Sequence, residues 1–319
     1  METESAQQLF FKHIKSLLPP HISFADTISD VLEISNDSAY RRIRGETQIT
    51  LEEIKKLCER FKISLDQLLQ LNSNSFLFTG TLTNSTDFDY DKWLESCLEV
   101  IKGVKKYEPH HMTYLAKEFP FFYYFLIPEI AAFKSFFFKD DFSKYHQIWK
   151  ELSETFATIP GTEIWNIENI TSTIRQIEFY HATGVFKSEE DVISLFDKLL
   201  ELIEHIEIQA EYGVKLQYKQ KPSLNLKATY NMFINELIMG DNMQIVQLGE
   251  TNLTYLNHTI LNYMMTTNVS FNSYMKRTLD VIAQKSTPIS RVNEKERLKF
   301  FNELRLKIRR AKEKIFVTA

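Results

Sequence analysis

Three arginines, Arg41, Arg42 and Arg44, fall within four positions of one another, directly after Tyr40 and just downstream of Asn36, Asp37 and Ser38. A guanidinium fork can hold a guanine edge through two hydrogen bonds or pair with a phosphate oxygen, and short polar side chains at the start of a helix can pair with base edges or backbone. This is binding chemistry suited to a polyanion. The same cluster would also serve as a solvated helix face, so its meaning depends on the element that carries it.

Reaction chemistry has less support. His110 and His111 are adjacent, while His146, His181, His205 and His258 are dispersed, and no HExxH, CxxC or GxSxG string occurs. The paired carboxylates Asp140-Asp141 and Glu189-Glu190 are most simply charges at helix starts. The chain has only eight glycines and no GxGxxG or GxxxxGK[ST] string, which argues against a fold that brings backbone close to phosphates. Cys58 and Cys97 are the two cysteines, both on apolar helix faces, and they fit buried thiols in a reducing cytosol. The expectation is no catalytic residue, no cofactor and no metal site: a binding protein, not an enzyme.

The arginines lie among signals for short helices. Ser23 is followed three residues on by Asp26, Thr50 by Glu53 and Ser64 by Gln67, the pattern of side chains that close a first helical turn. Ile28, Val31 and Leu32 form one apolar face, and Ile54, Leu57, Cys58 and Phe61 form another. Glu33, Ile34, Ser35 and Asn36 separate the first of these helices from a second that starts near Ser35 and ends at Gly45, where a left-handed cap suits glycine. Upstream, Phe10, Ile14 and Leu17 stripe a further helix, which reads as part of the same domain and not as a signal peptide.

On these residues the segment resembles the Cro and phage-repressor (XRE-type) helix-turn-helix family. Its closing tail, Phe61, Lys62, Ile63, Ser64, Leu65, Asp66, Gln67, Leu68 and Leu69, follows that family's pattern. The strings DSAYRRIRGE and EFPFFYYFLIPEIAAFKSFFF are also similar to a group of long Bacteroidetes-type regulators that join such a reader to a large C-terminal domain. The resemblance implies double-stranded DNA as the partner, contacted through Asn36, Asp37, Ser38, Tyr40, Arg41, Arg42 and Arg44. Two positions depart from the pattern. Glu33 stands where the family usually has a small residue, and alignment through Gly45 puts Arg42 on an apolar core position with Ile43 beside it. Which arginine faces bases and which faces phosphate therefore stays open.

Residues 1–71 hold nine Lys or Arg against eleven Asp or Glu, so any positive surface must be a local patch. A degenerate or protein-binding reader is the alternative. Residues 72–89, rich in Asn, Ser and Thr, read as a linker, and residues 90–319 as a mainly helical dimerisation or regulatory domain. Trp93, Cys97, Ile101 and Val104 recur at helical spacing, as do Ile148, Leu152 and Phe156, then Ile170, Ile174, Ile177 and Tyr180, then Val192, Phe196, Leu199, Ile203 and Ile206. Between Ala228 and Asn257, turn signals at Gly240 and Gly249 favour a small antiparallel β-meander over two kinked helices, and His258 to Met265 reads as a return to helix.

Two more segments carry open readings. Residues 291–314 contain ten basic and four acidic residues, with Phe301, Leu304, Ile308, Ala311 and Ile315 as an apolar seam. They form a dimer helix, a helix following DNA phosphates, or a helix docked on its own domain. The aromatics Phe119, Phe121, Phe122, Tyr123, Tyr124, Phe125, Phe133, Phe136, Phe137 and Phe138 read first as core, and otherwise as a dimer interface or a hydrophobic pocket. Pro120, Pro128 and Glu129 interrupt that stretch before it reaches the roughly 20 apolar residues of a membrane span.

The whole reads as a mainly α protein: a five-helix helix-turn-helix domain followed by a large helical domain with a small meander. The expected function is cytoplasmic, sequence-specific transcription regulation by a homodimer, with a small hydrophobic or peptide effector as a further partner and no membrane. A protein-interaction scaffold is the alternative.

Overall fold

The computed structural model describes residues 5–19, 22–69, 76–80, 88–135, 142–223, 225–237, 240–257 and 262–317. The chain divides into two compact units, Met1–Leu77 and Phe78–Ala319.

In the first unit the local signals become helices: α1 Ala6–Leu17, α2 Phe24–Leu32, α3 Asn36–Ile43, α4 Leu51–Phe61 and α5 Leu65–Leu69. Ser23, Ser35 and Thr50 each accept from the backbone amide three residues on, and Glu53 returns the bond to Thr50, completing a capping box on α4. A second box, Ser5 with Gln8, opens α1. Phe10, Phe11, Ile14, Ile28, Leu32, Ala39 and Leu57 form the core of this unit. Full burial of a side chain such as Ile28 or Leu57 contributes roughly 2 to 3 kcal/mol. Such cores are small, so the caps matter.

The second unit combines helices with a sheet. In chain order its elements are β1 Thr79–Gly80, α6 Tyr90–Val104, β2 His110–Leu115, α7 Pro128–Lys134, α8 His146–Phe156, β3 Gly161–Trp165, α9 Thr171–Ala182 and α10 Glu189–Tyr212. These are followed by β4 Tyr230–Ile234, β5 Met243–Leu248, β6 Thr251–Asn257, β7 Tyr263–Thr266, α11 Val269–Gln284, β8 Thr287–Pro288 and α12 Glu294–Val317. A 3-10 helix over Phe121–Leu126 precedes α7, which has Pro128 in its first turn. Mainly α is therefore the fold class, and the strands among the described residues form one eight-stranded sheet in the order β1-β7-β6-β5-β2-β3-β4-β8.

The sheet is wider than a meander. Strands form where the sequence predicts them at β4, β5 and β6, and β5, β6 and β7 run as antiparallel neighbours. β4, however, pairs in parallel with β3, and β3 in parallel with β2, so two unanticipated strands lie between β4 and β5. Parallel neighbours need long crossovers, and the segments carrying α7 and α8, then α9 and α10, supply them. The helix expected up to Met265 is corrected: Tyr263–Thr266 is β7, and residues 258–261 lie outside the described residues. Its Tyr, Met and Thr side chains fit a half-buried strand beside β6, and that non-local pairing overrides local propensity. Thr79 and Gly80, in the stretch expected to link the units, pair with Met265 and Met264 of β7.

One sheet face is covered by α11 through Met275 and Leu279, which meet Leu115, Ile164 and Ile245. The larger core lies on the other face. Phe119, Phe122, Tyr123, Tyr124, Phe125 and Phe133 are buried there, with Phe122 stacked on Phe156 and Phe119 set edge-on to Trp165. These aromatics are core, and residues 136–138 lie outside the described residues. α12 is docked internally: Phe301, Leu304, Ile308, Ala311 and Ile315 are all buried in the same core. Arg305 pairs with Glu207, Lys312 with Asp197 and Lys307 with Glu168, which ties the outer edges of that seam to α10 and to the turn before α9.

A fully buried polar cluster sits within this core. Lys215 Nζ lies 2.6 Å from Glu163 Oε1 and donates to the Tyr123 hydroxyl at 2.9 Å, while Tyr230 and Trp165 donate to Glu163 Oε2 at 2.8 and 3.0 Å. The ammonium also lies 4.1 Å from the Phe156 ring centre and 4.5 Å from that of Tyr230. Gly161 permits this approach, because a Cβ there would lie 3.0 Å from Lys215 Cε. Burial pushes the Lys215 ammonium down from its usual pKa, against the pull of Glu163.

Candidate nucleic-acid interface

α3 is held in place by its inward residues and its ends. Ala39 is buried and Ile43 packs on the core of the unit, one helical turn apart. The turn from α2 passes through Glu33, whose φ of 58° is left-handed. That conformation explains why a small residue would suit the position. Ser29 Oγ donates to the Ile34 carbonyl at 2.5 Å, fixing the far side of the turn. At the other end Gly45, with φ of 78°, donates to the Arg42 carbonyl, and Glu46 donates to that of Arg41, which is the paired bonding of a Schellman cap.

The three arginines separate. The side chains of Arg41 and Arg44 are 55% and 56% exposed, whereas that of Arg42 is 17% exposed. Arg42 lies against α4, where Nη2 is 2.8 Å from Glu53 Oε1 and Nε donates to Oε2 at 3.1 Å. Burial alone would raise the Glu53 carboxyl, but the Arg42 hydrogen bond and charge and the Thr50 backbone bond hold it below the usual carboxylate range. Gln7 of α1 donates to the carbonyls of Arg42 and Thr47, both at 2.8 Å, and accepts from the Ile49 amide at 3.1 Å. One amide thus staples the end of α3 to the loop beyond it. The alignment that put Arg42 on a core position is resolved by Ala39 and Ile43, which take the inward places and leave Arg42 on the flank.

The remaining site residues lie on the outer side. Asn36, Asp37, Tyr40, Arg41 and Arg44 are exposed and Ser38 is half-buried. Asn36 donates to Asp26 of α2 at 2.9 Å, and Ser38 accepts from the Ser35 hydroxyl at 3.0 Å. Glu46 engages Arg44 through two bonds, 2.7 Å from Nε and 3.2 Å from Nη2, and stands 4.0 Å from Arg41 Nε. Sequence reasoning anticipated the outward residues but neither the Gln7 staple nor Glu46 as a competitor for the arginines. Glu53 was legible as a cap, but its second role, eleven positions from Arg42, carries no local signal.

The arrangement is that of a helix-turn-helix unit. Residues 6–87 match the model of the BetR domain family, a helical domain related to DNA-binding, helix-turn-helix-type regulators. No curated protein and no solved structure matches the chain. No helix among the described residues is long and apolar enough to cross a membrane.

Proposed function

We propose that the N-terminal unit is an XRE-type reader of double-stranded DNA, and that the chain is a cytoplasmic, sequence-specific transcriptional regulator and not an enzyme. The observation that carries this reading is the outward presentation of Arg41 and Arg44 on a helix whose flanks are locked by Arg42 and Gln7. At 1.5 Å per residue, the eight residues of α3 span about 12 Å, a segment that enters a major groove about 12 Å wide end-on or obliquely. Asn36, Asp37 and Ser38 at its start meet base edges, Tyr40 and Arg41 flank them, and Arg44 reaches phosphate once Glu46 releases it. Arg42 positions the helix. One such reader covers a half-site, so useful affinity calls for a homodimer, with the second unit supplying assembly and effector binding.

Selection of bound fragments from sheared genomic DNA is the test. The expected result is enrichment of a pseudo-palindromic site, with half-sites about one helical turn apart. Failure to enrich any sequence, together with salt-independent binding, would sink the reading. Glu46 on the arginines and the excess of acids over bases in residues 1–71 favour one second reading, a helix-turn-helix unit that docks on a protein. Partner capture that persists after nuclease treatment would select it.

A further inference from the structure

On the sheet face opposite α11, β5 lies between β2 and β6, so Gln244 stands across from Tyr114 on one side and Tyr255 on the other. Directly paired residues share a face, which puts the Gln244 amide in the floor of a cleft together with Met112 and Val246. Cys97 and Val100 of α6 and the Phe121 ring form its walls, and the Tyr255 and Tyr263 rings, 5.7 Å apart, close one end. The empty space within this lining is about 530 Å³, open solvent included, so the cleft is half-open and not an enclosed cavity.

Two properties of the lining define an occupant. Gln244 is 92% buried, being 8% exposed, yet its side-chain amide makes no hydrogen bond to any described residue. An amide that opens into a cleft from a largely buried residue, with no protein partner, is available as a recognition group for something that enters it. The second property is charge. Among the described residues, no lysine, arginine, histidine, aspartate or glutamate lines the cleft. Burial also raises the Cys97 thiol and the Tyr255 phenol to about 12, so both are neutral at physiological pH and the thiol is no nucleophile.

We propose that this cleft binds a small, uncharged, largely aromatic or aliphatic molecule whose one polar group pairs with the Gln244 amide. Val100, 41% exposed, marks the mouth, and the Tyr255 and Tyr263 rings, tilted 53° to one another, offer aromatic surface to a planar ring. Ionic ligands are disfavoured because the described lining offers the amides of Gln244 and Asn257 and the tyrosine hydroxyls but no opposite charge to offset the loss of their hydration. The site belongs to the second unit and stands whether or not the first unit reads DNA.

The test uses the full chain and the neutral probe N-phenyl-1-naphthylamine, which fluoresces in apolar surroundings and carries one N–H. Expected is a saturable rise at one probe per chain, abolished by Val100→Trp, which blocks the mouth, at an unchanged melting point. Gln244→Leu should weaken the probe about fivefold while leaving 1-phenylnaphthalene, which lacks the N–H, unaffected. The sulfonated analogue 8-anilinonaphthalene-1-sulfonate should bind at least about tenfold more weakly. A wild-type chain with no saturable rise overturns the site, as does a rise that Val100→Trp leaves intact. Equal binding of the sulfonate overturns the ligand class.

Discussion

α3 and α12 are both arginine-bearing amphipathic helices, and they use their charge in opposite ways. α12 and the turn before it carry ten basic residues over 291–314, yet Arg305, Lys307 and Lys312 each pair with an acid on another element. Arg297 is buried against the carbonyls of Ile289 and Val292. α3 and its C-cap carry three arginines and give up only Arg42 in this way, while Arg41 and Arg44 stay outside with a loop glutamate for company. Positive charge counted along a sequence is therefore a poor guide to positive charge available to a partner. Geometry decides how much of it is already used.

The contrast breaks most visibly in the seam of α12. Ile308→Asp would put a carboxylate at a wholly buried site and should cost about 4 kcal/mol of stability, lowering the melting point at unchanged molecular mass. A halved mass with an unchanged melting point would instead make the seam intermolecular. The reverse pattern is expected on α3. Arg41→Ala or Arg44→Ala should leave the melting point alone and weaken DNA binding by about 1 to 3 kcal/mol for a base contact, or flatten the salt slope by about one charge for a phosphate contact. Wild-type binding in both variants would remove the proposed role.

Arg42 sharpens the comparison because it belongs to α3 but behaves like a residue of α12. Arg42→Ala leaves Glu53 half-buried without its partner and should destabilise the first unit by roughly 1 to 2 kcal/mol, read as faster amide exchange in residues 36–61. The pH dependence follows from the same pair. Because the folded Glu53 carboxyl is held below its unfolded value, its contribution is fully present above the unfolded value and is lost as pH falls through the folded one. Protection factors in the wild type, with the intrinsic pH dependence of amide exchange divided out, should therefore fall on acidification, and much of that dependence should vanish in Arg42→Ala. The smallest effect belongs to Glu46→Gln. Freed of its carboxylate, Arg44 should bind DNA about threefold more tightly with a salt slope steeper by about one charge, and an unchanged isotherm would show that Glu46 does not compete.

What the sequence disclosed was local. Ser23, Thr50 and Gly45 announce helix ends through neighbours within four residues, and the Phe301 to Ile315 seam announces its helix by period. What it hid depends on partners far away in the chain. β2 (HHMTYL) and β3 (GTEIW) are short runs of mixed polarity whose identity as strands rests on pairing with each other across about fifty residues, and β7 looked helical for want of β6. The candidate site divides the same way: the outward residues of α3 follow from helix period, whereas Gln7 holding Arg42 and Thr47 joins positions 35 and 40 apart. The cleft around Gln244 had no signature, since one glutamine in a strand becomes notable only when its neighbours leave it unpaired.

The Lys215 and Glu163 cluster bears on how this protein can change over time. Removing one member of a buried ion pair typically costs about 3 to 5 kcal/mol, while exchanging the whole cluster for well-packed apolar groups is often close to neutral. A typical fold has only about 5 to 15 kcal/mol in hand. Descendants of this chain can therefore reach an apolar version of the core only by altering Lys215, Glu163 and their tyrosine neighbours nearly together, and every single step lies in a valley. The cluster is a historical commitment: lineages that carry it should keep all of it or none.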